Sequence, residues 1–157
     1  MAEHTATVSW ERSGAVFTDN RYSRAHSWTF DGGMSIAASA SPHVVPAPLS
    51  DPNGVDPEEA FVAALSSCHM LWFLSVAAGR GFTVDSYRDV AVGHMENNAE
   101  GHLAITRVEL RPTIRFSGPR IPESNQVNDM HEEAHRQCFI ANSVRTLVSL
   151  GPTKDAL

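Results

Sequence analysis

Along this chain, apolar and polar positions alternate in short runs, merge into one long apolar block, and then alternate again. "TATVSWE", "HSWTFD" and "MSIAASA" carry the period of two expected of half-buried strands, and Gly32-Gly33 marks the turn between the last two. From Ser41 to Val55 the pattern disappears, and the four prolines of that stretch predict a loop. The apolar block beginning "DPEEAFVAAL" predicts a helix: Asp56 stands at the N-cap, Pro57 at the first helical position and Glu59 two residues on, a capping box. Gly79 is the expected C-terminal stop. Apolar residues surround this helix on nearly every side, which predicts a buried central helix.

Beyond it, "TVDSYRDVAVGHM" and "HLAITRVELRPTIRF" flank the polar turn 96–101 and predict a hairpin. Leu103 and Ile105 lie in one phase of the second strand, and Val108, Leu110, Ile114 and Phe116 in the other, so a bulge is expected near Thr106-Arg107. "ESNQVNDMHEEAHRQCF" predicts a second helix with Val127, Met130, Ala134 and Cys138 on one face, and "SVRTLVSL" a short last strand. Strands before, between and after two helices predict an α+β fold, a single domain over residues 1–157.

Composition narrows the function. The chain has 157 residues and a net charge of -6, with no basic stripe to neutralise phosphates, so nucleic acid is not an expected partner. The N-terminus lacks a basic segment followed by an apolar one, and Ser66, Ser67, His69 and Ser75 interrupt the apolar block. Neither a leader nor a membrane span is expected, and the cytoplasm is the default location. Two cysteines in that compartment raise the question of redox or metal chemistry rather than a static crosslink.

Cys68 lies inside the apolar block. A thiol there is inert if merely packed, since the thiolate is the reactive form and burial disfavours it; as a nucleophile it must be exposed and ionised by its surroundings. Cys138 is 70 positions away, so the two form no CxxC motif, and whether they meet depends on how the helices pack. His131, His135 and Cys138 have i, i+4, i+7 spacing, which offers a metal-binding helix face as an alternative. His69 adjoins Cys68, but neighbouring helix positions point about 100° apart, which makes it a poor base for that thiol. Glu58 and Glu59 suit the first helical turn on electrostatic grounds alone. Arg24 is by itself an ordinary arginine.

Taken together these residues form a recognisable set. "DPEEAFVAALSSC" resembles the helix-opening motif of the OsmC/Ohr family, the osmotically inducible and organic hydroperoxide resistance proteins, in which an acidic residue after proline precedes the reactive cysteine by ten positions. Glu58 and Cys68 match those positions. "HRQCFIANSV" is similar to the second-cysteine segment and matches Cys138. "YSRAHSWTFDGGMSIAASASP" resembles the strand bearing the family's arginine, with Arg24 the nearest match and Arg21 three residues away. The resemblance implies an OsmC-like fold, curved antiparallel sheets around a buried central helix in an intertwined homodimer. It also implies a thiol peroxidase that reduces organic hydroperoxides. Cys68 would attack the peroxide and become a sulfenic acid, Cys138 would resolve it as a disulfide, and an external dithiol, typically of lipoyl type, would reopen that bond, with no bound cofactor. Arg24 would lower the thiol pKa and hold the peroxide, and Glu58 would orient the guanidinium. Phe61, Leu65, Met70, Leu71 and Trp72 would sleeve an apolar substrate tail. Glu58 and Cys68 are separated by about 15 Å of helical rise, so a site using both would be shared between two subunits. A non-catalytic module that binds a small ligand in the same pocket is the alternative of a different class.

Overall fold

The computed structural model describes residues 1–151; residues 152–157, the tail of the expected domain, lie outside it. The chain comprises two compact units, Met1–Ala60 and Phe61–Leu157.

In the first unit, β1 (Ala6–Ser9), β2 (His26–Phe30) and β3 (Ser35–Ala38) form an antiparallel sheet in that order. The β2–β3 turn takes its left-handed residue at Gly33, with φ 82°, as the glycine pair predicts. Beyond β3 the chain runs as the expected proline-rich loop, tied back where Ser39 N–H donates to Val55 O at 3.0 Å. The backbones come so close there that a Cβ on Gly54 would lie 2.9 Å from the carbonyl carbon of Ala38.

Helix α1 (Pro57–Gly79) opens with the predicted reciprocal cap: Glu59 N–H donates to Asp56 Oδ1 at 2.7 Å, and Asp56 N–H donates to Glu59 Oε1 at 2.9 Å. It ends at Gly79 as expected, but the left-handed glycine of the cap is Gly81, two residues on, with φ 76°, and Phe82 N–H reaches back to Ala77 O at 3.0 Å. By length and composition α1 is apolar enough to cross a membrane, despite its serines. Within the chain it buries a single row, Leu65, His69, Phe73 and Ala77, whereas Leu71 is 61% exposed. The all-round apolar surface that predicted a central helix is thus covered on one side only.

The second unit divides the predicted hairpin. Each long strand breaks near its middle, giving β4 (Thr83–Asp89), β5 (Val92–Asn97), β6 (Leu103–Leu110) and β7 (Pro112–Ser117). β5 pairs with β6, and β4 pairs with β7 in a separate two-stranded sheet. The breaks lie side by side, where Asp89 Oδ1 accepts the Arg111 N–H at 2.6 Å and Pro112 brings no donor to the ladder. The predicted bulge is present: His94 faces Arg107 and Met95 faces Ile105, leaving Thr106 as the extra residue. On β5, Gly93 lets α1 approach, since a Cβ would lie 2.6 Å from Val62 Cγ2. The last strand, β8 (Leu147–Leu150), joins β6 in parallel rather than antiparallel. Its connection from β6 passes through β7 and helix α2 (Ser124–Gln137), long enough for a crossover.

Two apolar clusters hold this unit. Phe73, Ala77, Phe82, Met130 and Ala134 unite α1 with α2, and Leu65, Val108 and Leu110 unite α1 with the β5-β6-β8 sheet. Helix α2 is shorter than predicted. It ends at Gln137, and Cys138 is its C-cap in an extended conformation, φ -64° and ψ 109°.

Candidate functional site

Arg24 and Glu58 belong to the first unit, Cys68 and Cys138 to the second. In the second unit the structure brings the two cysteines close together as free thiols, near enough for Cys68 to act on Cys138. α1 presents Cys68 half-buried one position before its buried row, while the end of α2 delivers Cys138 into full burial. The turn after Cys138 is closed by its own bonds. Asn142 N–H and side-chain amide both donate to Cys138 O, at 3.0 and 2.9 Å, and Ala141 N–H donates to Cys138 Sγ at 3.4 Å. Phe139 meets Trp72 edge-on, ring centroids 5.4 Å apart. Burial, and then the neighbouring Cys68 thiol, push the Cys138 thiol up to about 11, outweighing the Ala141 N–H. Cys138 therefore keeps its proton at neutral pH.

In the first unit Arg24 is pinned through its backbone and folded locally through its side chain. Its N–H donates to Leu49 O at 2.7 Å, and its carbonyl accepts from His26 Nδ1 at 2.8 Å. Trp28 Nε1–H donates to His26 Nε2 at 2.9 Å, so the ring is an acceptor there and carries its proton on Nδ1. The guanidinium lies 3.9 Å above the Tyr22 ring, bonding to Tyr22 O, and to Asn20 O and Oδ1 at 3.1 and 2.8 Å. It borders a cavity of about 450 Å³ walled by Trp10, Phe17, Tyr22, His26 and Pro57. Arg21 is exposed, and its N–H bonds to Asp19. Within one chain Arg24 and Glu58 form no bidentate pair: the guanidinium is occupied by Asn20 and Tyr22. Glu58 Oε2 is buried with no hydrogen-bond partner among the described residues.

The metal face is dismantled by the fold. His131 is turned into the core, His135 is exposed, and Cys138 has left the helix. Among the described residues no three His, Cys, Asp or Glu side chains converge as metal ligands. The expected sleeve is likewise divided, since Leu65 is fully buried in the core and Leu71 faces outward.

Sequence reasoning missed a buried imidazole pair beside the thiols. His69 Nε2 and His131 Nδ1 are 2.9 Å apart with rings nearly parallel, at 12° and 5.3 Å between centroids. Burial drives both down to about 4. The charge of His135 acts on His69 in the same sense, against Asp89, and His69 does so on His131. The signal was available in the spacing, because His69 completes the i, i+4 row with Leu65, Phe73 and Ala77.

An α+β fold with two free cysteines close to each other, one on α1 and one capping α2, defines the broad class. Within it this chain belongs to the OsmC-like protein family, whose model matches residues 50–151. It is similar to an OsmC-like protein of unknown function from Vibrio cholerae, 58% identical, with a TM-score of 0.94 over 96% of this chain and 99% of that one. The fold is also that of an organic hydroperoxide resistance protein from Legionella pneumophila, 13% identical, TM-score 0.68, covering 97% and 98% of the two chains. The organic hydroperoxide resistance protein OhrB of Bacillus subtilis, 18% identical, has a TM-score of 0.68 over 95% and 96%. No curated protein sequence matches.

Proposed function

We propose that this protein is a cytoplasmic thiol peroxidase that reduces organic hydroperoxides. The observation carrying this reading is the proximity of the free thiols of Cys68 and Cys138. The Cys68 thiolate attacks the terminal peroxide oxygen, the O–O bond breaks, and the alkoxide leaves and takes a proton to become the alcohol. Cys68 is then a sulfenic acid. The Cys138 sulfur attacks it, forming the disulfide, and its proton leaves with the sulfenic hydroxyl as water. A soluble dithiol, of lipoyl type, takes up the disulfide in exchange and restores both thiols. The pKa of about 11 at Cys138 supports this order, because the thiol that holds its proton is the resolving one.

The substrate side of the reading draws on the first unit. Arg24, at the mouth of an aromatic cavity, supplies a guanidinium for the peroxide oxygens once it releases Asn20, and Glu58 has a carboxylate oxygen free to receive it. The protein acts as a homodimer, in which a second copy covers the exposed side of α1 and shares each site.

Single-turnover reaction with cumene hydroperoxide tests the assignment. Cys68→Ser is expected to consume no peroxide, and Cys138→Ser to react once and stall as a sulfenic acid trapped by dimedone. Equal reaction in both variants, or in neither, refutes it.

A further inference from the structure

The His69–His131 pair has no evident reason to exist on grounds of stability. Both rings are buried, at 2% and 0% exposure, in a core otherwise built from Phe73, Met130 and Ala134. The bond between them satisfies one nitrogen of each ring. His69 Nδ1 and His131 Nε2 remain buried without partners among the described residues. Each unmet group costs its desolvation, whereas apolar side chains of the same shape in place of both partners would be nearly neutral or stabilising.

What the pair does supply is direction. Apolar contacts between two helices tolerate a small rotation or slide, but an N–H···N bond at 2.9 Å weakens steeply when its angle or length changes. A single buried polar contact that sets the register of packed helices is a well-attested use of such groups. Phe73 reinforces it by packing 4.4 Å from the His131 ring centroid.

Register is also what the thiols need. His69 directly follows Cys68 on α1, and His131 precedes Cys138 by seven residues, two turns of α2. A disulfide requires Cα atoms about 4.4–6.8 Å apart, and a slip of one helical residue moves a group by about 1.5 Å along the axis and turns it by 100°. We infer that the buried His69–His131 hydrogen bond fixes the placement of α2 on α1 and so holds Cys138 against Cys68, making both imidazoles positioning residues of the thiol pair. The inference rests on the contact between the thiols, not on peroxidase activity.

The test therefore contains no peroxide. The reduced protein is equilibrated with glutathione disulfide, which accepts two electrons and two protons as Cys68 and Cys138 join, and the equilibrium gives the effective concentration of one thiol at the other. In His69→Leu/His131→Leu we expect a thermal midpoint no lower than that of the parent, and an effective concentration lower by about tenfold or more. An unchanged effective concentration overturns the inference. So does a fall matched by an equal loss of stability, which a loosened fold alone would produce. Should the leucine pair not fold, His69→Gln/His131→Gln, which can rebuild an amide–amide bond, decides: retention within about threefold supports the inference and a tenfold fall overturns it.

Discussion

The two units of this chain are built on different principles. In Met1–Ala60 the buried residues are one alanine, Ala38, and three serines, Ser39, Ser41 and Ser50, while Val8, Phe17 and Met34 face outward. Such a segment has almost no apolar core of its own and is held by its β-ladder and loop hydrogen bonds. Phe61–Leu157 contains two apolar clusters, and His69, His131 and Cys138 are buried in the same unit. The candidate chemistry divides the same way, with Arg24 and Glu58 in the poorly buried unit and the thiols in the well-packed one. The apolar core and the two thiols share one unit, and the other presents a guanidinium and an aromatic cavity.

The sharpest way to break this comparison is to ask whether the first unit of one copy serves the second unit of another. Cys68→Ser and Glu58→Ala, each nearly inactive alone, are unfolded, mixed equally and refolded. Random pairing should rebuild roughly a quarter of all sites with both residues intact, one in each mixed dimer. Mixed dimers without recovered activity would leave Glu58 in the same chain's site or outside the chemistry.

Next in size is Phe73→Ala, which opens the larger cluster and is expected to destabilise the protein by about 3–5 kcal/mol in urea unfolding. A loss below about 1 kcal/mol would mean that this core is not where the stability resides.

Acid should act through the same unit. An imidazole that binds its proton at 6.5 when unfolded and at about 4 when folded lets the unfolded state take up protons first. Stability is therefore unaffected above pH 6.5 and falls as the pH drops from there toward 4. The loss is about 2 kcal/mol per imidazole at pH 5. The groups acting on the pair are His135, which deepens the depression at His69, and Asp89, which opposes it. Buried Tyr87, whose hydroxyl has no partner among the described residues, is raised by burial and by Asp89 and stays neutral throughout. Denaturation curves at pH 7 and pH 5 check this, and the slope should vanish in His69→Leu/His131→Leu.

The smallest expected change in stability belongs to the first unit. Phe17 is 49% exposed, so Phe17→Ala should shift unfolding by no more than about 0.5 kcal/mol. The same substitution should lower kcat/KM for a bulky alkyl hydroperoxide relative to hydrogen peroxide, because each buried methylene contributes about 0.8 kcal/mol. An unchanged ratio would remove the aromatic cavity from the substrate path.

Much of this molecule was decided by local chemistry and is legible in the chain. The Asp56–Glu59 cap, the Gly32-Gly33 turn, the proline-rich loop and the bulge at Thr106 each depend on a few neighbouring residues whose backbone preferences do not wait for the rest of the fold. The motif resemblance supplied the candidate cysteines in the same way, from short contiguous stretches. Long-range packing decided the rest. The predicted hairpin split where Asp89 captured the Arg111 N–H across 22 residues, and β8 entered its sheet in parallel. α2 stopped before Cys138, which turned a helix face of possible metal ligands into a core imidazole, an exposed one and a thiol in an extended turn. Whether Cys68 and Cys138 meet, and whether His69 meets His131 across 62 residues, no local pattern states. Those contacts depend on how α1 and α2 cross, which is set by the sum of many weak apolar contacts and sharpened by one directional bond.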